Sequence, residues 1–305
     1  MKVSEIRFSV IKKNYLNFLK KQEVLGEPFY NKISQLKNFY IPICDSINKK
    51  YISNKKSLIV GLAGGQGAGK TTIAKIIKII LKNKFNLNVL NFSIDDFYKT
   101  KNQRRKMSKN IHKLFLTRGV PGTHDINLVK KCFLNLMKKK FKPFSIPKFD
   151  KLNDDRYPKS RWMKIKKKPD IIIFEGWCVG ARNQTNQQIK IPINNLEKKF
   201  DKKLIWRKKV NLELKNDYKK IFKLINKLIF LKVPNFNYVY RWRLLQEEKL
   251  KILSKGKKTM TKNQIKKFVM YYERITRQMI KDLKQDADVV ISLDKKHRLN
   301  NIKFY

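Results

Sequence analysis

Residues Gly64, Gly65, Gln66, Gly67, Ala68, Gly69, Lys70 and Thr71 satisfy the spacing GxxxxGK[ST] in full, and Thr72 extends the word to "GGQGAGKTT". Glycines at these positions let a backbone wrap an anion with its N–H groups. The N-terminus of a following helix adds partial positive charge at the same place. In such a loop the lysine reaches the β- and γ-phosphates of a nucleoside triphosphate, and the threonine hydroxyl ligates Mg²⁺. The pattern predicts an ATP site running from Gly64 to Thr72, with a metal ligand at Thr71.

Carboxylates supply the other half of the chemistry. Glu175 ends the apolar run "IIIFE" and precedes Gly176. A carboxylate at the carboxyl end of a core strand faces the crevice where α/β proteins take ligands, so Glu175 is a second candidate for the metal. Asp95 and Asp96 open the word "DDFY". Adjacent carboxylates diverge: one is expected to orient or deprotonate an acceptor hydroxyl, the other to cap the next helix. Asp95 is the candidate base and Asp96 the candidate cap. Lys70, Asp95 and Glu175 are thus the candidate catalytic set.

These residues need elements to hold them. "SLIVGLA" at 57–63 suits a buried parallel strand. After the glycines, Ile73, Ile76, Ile77, Ile80 and Leu81 recur at helical spacing with one buried face. Residues 87–95, 170–176 and 287–294 read as further strands, and 126–139, 213–232, 238–253 and 261–285 as helices. Strands alternating with helices predict an α/β fold, a mainly parallel sheet flanked by helices. Residues 1–56 are expected to form a helical extension packed on a P-loop domain at 57–305. Long connections near 99–125, 145–160 and 238–256 are candidate substrate loops and a helical lid.

Composition bounds the rest. The 305 residues carry a formal charge of +50. Lysine dominates and is spread through every segment, alongside Asn, Ile, Phe and Tyr, all with A/T-rich codons. That distribution reads as compositional bias, although such a field attracts small anions. No apolar run reaches membrane-span length. The first residues lack the apolar core of a secretory signal. Cys44, Cys132 and Cys178 are scattered, without a zinc-type pattern, and fit reduced thiols. The expectation is a cytoplasmic protein with a small-molecule anionic partner, no specific nucleic acid and no membrane. Composition says nothing of oligomeric state.

With "GGQGAGKTT", "DDFY" and "FEG" in this order, the chain resembles the small-metabolite P-loop kinases, which include uridine kinase, phosphoribulokinase and bacterial pantothenate kinase. In that group the first acidic residue of the D-x-F word acts as the catalytic carboxylate, which falls on Asp95. "TRGVPGTHD" at 117–125, "IPKFDKLNDDRYP" at 146–158, "FEGWCVGAR" at 174–182, "YRWRLLQEEKL" at 240–250 and "ADVVISLDKKHRL" at 287–299 resemble the glycerate kinases of plants, fungi and cyanobacteria. The likeness covers most of the chain beyond its first fifty or so residues. Those kinases commonly carry a glycine-rich run ahead of the Asp-Arg pair, where this chain has "KLNDDRYP". The resemblance implies transfer of the ATP γ-phosphoryl group to D-glycerate, giving 3-phosphoglycerate.

A small acid needs a cation for its carboxylate, ideally an arginine fork. Arg118, Arg156 and Lys151 are candidates; a surface ion pair for Arg156 and a solvated charge for Lys151 are the competing readings. Tyr98 of "DDFY" joins the candidate substrate contacts. His124 is a candidate contact or a buried hydrogen-bonding group, and Asp125 a contact or a helix cap. Arg241 and Arg243 are candidates for the β/γ-phosphates, but two residues apart on a helix they diverge by about 200°. Trp242 between them reads as packing. Two rivals remain at this stage: the same chemistry on a nucleoside or pantothenate-like alcohol, and a nucleic-acid-associated NTPase that uses the charge.

Overall fold

The computed structural model describes residues 3–23, 29–253 and 259–305. Residues 254–256 of the expected lid, and 1–2 and 24–28 of the expected extension, lie outside them. Helix α1 (Val3–Gln22) is followed by α2 (Lys32–Gln35), which passes through a π-helical turn into α3 (Ile41–Asn54). Strand β1 (Leu58–Gly64) leads through the glycine loop to α4 (Lys70–Phe85). Then come β2 (Val89–Ser93), α5 (Lys101–Asn110) and α6 (Ile126–Met137). Strands β3 (Phe144–Ile146), β4 (Phe149–Asp150), β5 (Asp155–Arg156) and β6 (Met163–Ile165) form two small antiparallel ribbons, β3 with β6 and β4 with β5. Strand β7 (Ile171–Gly176) precedes α7 (Asn186–Lys190), α8 (Asn195–Phe200), α9 (Ile205–Glu213), a π-helical turn (Leu214–Tyr218) and α10 (Lys219–Phe222). The chain closes with β8 (Lys227–Lys232), α11 (Phe236–Leu253), α12 (Lys262–Asp286), β9 (Val289–Leu293) and β10 (Leu299–Phe304).

The main sheet has the order β10-β9-β8-β1-β7-β2. All pairings are parallel except that of the edge strand β10 with β9. Strand β1 is buried along its whole length because β7 and β8 flank it and helices cover both faces. The isoleucine stripe of α4 is buried as its spacing predicts, and Asn86 in the left-handed conformation (φ 55°) ends that helix. Ile11, Tyr15 and Leu19 of α1, and Ile43, Cys44 and Ile47 of α3, share one core with Ile73 and Ile76 of α4 and with β1. A second core on the opposite face holds Phe92, Phe133, Phe174 and Trp177.

One expected element is corrected. The stretch 213–232 is not a single helix: its last six residues are β8. "KLIFLK" is apolar because the strand is covered on both faces. A continuous apolar run carries no period that separates strand from helix. The long connection 99–125 contains a helix of its own, α5. No described helix is long and apolar enough to cross a membrane.

Candidate active site

The carboxyl ends of β1, β7 and β2 converge where the connection from β1 runs to β2 on one side and that from β7 to β8 on the other, the crevice in which such folds bind ligands. Between β1 and α4 the loop turns through Gly67 and Gly69, with φ of 76° and 86°. Glycine adopts that conformation without steric cost. A Cβ on Gly67 would lie 2.8 Å from Cβ of Trp242, so α11 sits directly on the loop. The indole of Trp242 stacks on His297, ring centroids 4.2 Å apart, from the β9–β10 turn.

Lys70 opens α4, and its ammonium donates to the carbonyls of Gly64 (3.0 Å) and Gly65 (2.9 Å). Burial pushes its pKa down, while Glu175 and Asp95 pull it up. From the end of β7, Glu175 accepts a hydrogen bond from the Thr71 hydroxyl at 2.9 Å through Oε1. Its other oxygen is buried and has no hydrogen-bond partner among the described residues. Burial raises the pKa of this carboxyl, against the pull of Lys70. A hydroxyl and a carboxylate oxygen lacking a partner are the hard donors that Mg²⁺ takes, the remaining positions going to phosphate and water. The pair fits such an ion.

The two aspartates after β2 diverge. Ser93 caps the following 3-10 turn, and Asp96 returns the bond to the Ser93 N–H at 3.2 Å. The cap is therefore Ser93, with Asp96 as the reciprocal partner in a capping box. Asp96 also faces Lys148 at 3.6 Å. Asp95 turns the other way. Its Oδ1 accepts from the Tyr98 hydroxyl at 3.0 Å, and its Oδ2 pairs with Lys151 at 3.0 Å. Burial alone would raise its pKa; Lys151 and Tyr98 outweigh that and hold it at about 2. Lys151 is raised in turn by Asp95.

The β4–β5 ribbon carries Lys151 and its supports. Arg104, fully buried on α5, donates to the carbonyls of Lys99, Leu116 and Asp154 and pairs with the Asp154 carboxylate at 3.0 Å. Arg118 pairs with the same carboxylate, donates to the Lys151 carbonyl at 3.2 Å, and lies over the Phe149 ring at 5.4 Å. Asp154 adopts a left-handed φ of 56°, at the place where glycine was the expected turn residue. Two arginines on one carboxylate offset the cost of that conformation.

The model of the Phosphoribulokinase / Uridine kinase family matches residues 59–209 of the chain. An uncharacterized kinase, mug58, of Schizosaccharomyces pombe is 34% identical over 225 residues, which cover 71% of this chain and 79% of that protein. This chain belongs to the phosphoribulokinase/uridine kinase family. It is a P-loop kinase. The chloroplastic D-glycerate 3-kinase of Arabidopsis thaliana is 26% identical over 256 residues, spanning 78% of this chain and 53% of the plant protein. A solved D-glycerate 3-kinase from Cryptococcus neoformans var. grubii superposes with a TM-score of 0.74 at 20% identity, covering 87% of this chain and 99% of that one. At that identity the likeness is one of fold.

Within this kinase the crevice brings together the loop 64–72, Asp95, Tyr98, Arg118, His124, Lys151 and Glu175. Tyr98 and His124 are both buried and stack at 4.4 Å. Arg156 donates Nε and a terminal nitrogen to the Tyr98 carbonyl (3.2 and 2.8 Å) and faces Asp125 at 3.4 Å, so these groups brace the loop. Asp125 caps α6 through the Leu128 N–H at 3.1 Å. Arg241 and Arg243 both lie inside α11 and diverge. Arg243 is mostly buried, pairs with Glu247 at 2.5 Å and keeps one buried terminal nitrogen without a hydrogen-bond partner among the described residues. Arg241 is exposed over the Tyr238 ring. Trp242 is buried packing, as its place between them implied.

Sequence reasoning missed Arg104, Asp154, Tyr218 and Tyr272. Arg104 stands in the run "KNQRRKMSKN", where nothing separates it from its exposed neighbours. Tyr272 comes from α12, roughly 150 residues from Arg118, whose carbonyl accepts its hydroxyl at 3.2 Å. Gly119 (φ 140°) leaves room for that ring, and a Cβ there would collide with the hydroxyl.

Proposed function

We propose that this kinase transfers the γ-phosphoryl group of ATP to a hydroxyl of a small acidic metabolite, with D-glycerate as acceptor and 3-phosphoglycerate as product. One observation carries the reading most. The carboxylate that faces the phosphate loop, Asp95, is paired at 3.0 Å with Lys151, on a ribbon fixed by Arg118. A hydroxyl partner and cations for an acid thus stand side by side. The names of the plant and Cryptococcus relatives agree with that acceptor.

In this scheme the loop N–H groups and Lys70 hold the β- and γ-phosphates. Thr71 and Glu175 would hold Mg²⁺, which when bound would neutralise charge developing on the phosphates. Asp95, ionised far below neutral pH, is a weak base. Its main work is to accept the acceptor hydroxyl's hydrogen bond and aim its oxygen at phosphorus, which suffices for a loose transition state. Lys151 and Arg118 take the substrate carboxylate, with Tyr98 and His124 lining its seat. Arg156 and Asp125 support that seat from behind. Arg243 supplies positive charge to the transferring group, and Arg241 meets the nucleotide only if α11 turns. Closure of α11 over the phosphate loop excludes water as a competing acceptor. The three free, buried cysteines suit a reducing compartment such as the cytoplasm.

The test is ADP release by the purified chain with D-glycerate against L-glycerate, uridine, pantothenate and glycerol. The proposal expects D-glycerate to be used with the highest kcat/KM, and preference for a neutral alcohol would refute it.

A further inference from the structure

Tyr218 is the last residue of the π-helical turn between α9 and α10, and its side chain is wholly buried. Such turns interrupt a helix at a cost and recur at functional positions. The phenolic oxygen accepts the Gly122 N–H at 3.0 Å. Among the described residues the hydroxyl has one other hydrogen-bond partner, and its own proton needs an acceptor. That partner is Nδ1 of His124, 2.6 Å away. Hydrogen-bond accounting then fixes the imidazole: Nδ1 accepts from Tyr218, so Nε2 carries the hydrogen.

That Nε2 is buried and has no hydrogen-bond partner among the described residues. An uncompensated buried donor is costly, and where one persists it points to a ligand. The ring lies flat on Tyr98, whose hydroxyl binds Asp95, so the donor stands beside the carboxylate that aims the acceptor. Burial keeps the imidazole neutral, with its pKa pushed down to about 3. A neutral ring does not compete with Lys151 for Asp95.

We infer that Tyr218 locks His124 as an uncharged Nε2–H donor that reads a carboxylate oxygen of the acceptor, making His124 a specificity-determining contact and Tyr218 its positioning residue. The inference rests on the acidic-alcohol reading above for the identity of the ligand, but not for the tautomer. It explains why a tyrosine from the turn between α9 and α10 reaches the site. It also separates two kinds of recognition: Lys151 and Arg118 supply charge, whereas His124 supplies a fixed direction.

Two measurements test it on the intact chain. Long-range ¹H–¹⁵N spectra of histidine-labelled protein at pH 7 contain three histidines, and His124→Gln assigns the one concerned. The expected pattern is a protonated Nε2 and a bare Nδ1; a protonated Nδ1 overturns the inference, whatever the acceptor is. Steady-state kinetics of Tyr218→Phe form the second arm. Loss of an oriented donor to a charged oxygen should raise KM for D-glycerate by about 10- to 100-fold, with KM for ATP unchanged. Equal losses for both substrates, or an unchanged acceptor KM, would overturn it. Turnover of neutral alcohols alone by the wild type would instead sink the acid reading and the carboxylate assignment together, while the tautomer result stands by itself.

Discussion

The Thr71 hydroxyl donates to Oε1 of Glu175 at 2.9 Å, tying the start of α4 to the end of β7 across 104 positions of sequence. The bond sets the orientation of the carboxylate and leaves Oε2 without a hydrogen-bond partner among the described residues. If this pair holds the metal, Glu175→Gln should raise the Mg²⁺ concentration for half-maximal activity by about 10- to 100-fold. Titration of activity with Mg²⁺ checks this; an unchanged requirement would assign the metal to other oxygens.

Lys151 controls the ionisation of Asp95. Asp95→Asn should lower kcat by about 10²- to 10⁴-fold while KM for ATP holds, because the loss falls on the acceptor hydroxyl. Lys151→Met should act differently. Burial raises the Asp95 pKa and Lys151 lowers it, so removing the lysine moves the acid limb of kcat/KM to higher pH. Profiles from pH 4 to 8 decide it. A limb that stays in place would mean that Lys151 does not set the charge of Asp95.

Arg243 and Arg241 give opposite expectations. Arg243 is mostly buried, with one terminal nitrogen that has no hydrogen-bond partner among the described residues, whereas Arg241 is exposed. Arg243→Ala should cost about 10²- to 10³-fold in kcat. Arg241→Ala should change it by about twofold or less, as a surface substitution does. The reverse ranking would show that α11 turns when nucleotide binds.

The phosphate loop, the β1–α4 unit and the divergence of Asp95 from Asp96 were legible in the sequence because each rests on local spacing. The cap at Asp125 was legible only as the alternative to a substrate contact. Strand β8 was not, because a strand covered on both faces loses the alternation that marks strands. Arg104 and Tyr218 were not legible either. Their roles arise from tertiary neighbours, Asp154 in one case and Gly122 with His124 in the other, which no periodicity records. The separation of Arg241 from Arg243 was legible as angle but not as direction: two positions on a helix must diverge, and only packing against the loop decides which faces in.

Buried His124 gives the fold an acid sensitivity. Its pKa falls from 6.5 to about 3 on folding, so the unfolded chain binds the extra proton between those values. Stability is undiminished above pH 6.5 and is lost progressively as pH falls toward 3, on the order of 5 kcal/mol in all. Urea midpoints from pH 7.5 to 4.5 should therefore fall less steeply for His124→Gln than for the wild type. Parallel slopes would mean that His124 is not kept neutral by the fold.

The central claim is that the acceptor is recognised as an acid beside Asp95. The most direct measurement is kcat/KM for D-glycerate and for D-glyceramide, which keeps both hydroxyls and removes only the charge. Loss of charge-assisted bonds to Lys151 and Arg118 should cost the amide about 10²-fold or more. Equal kcat/KM for the two would contradict the claim.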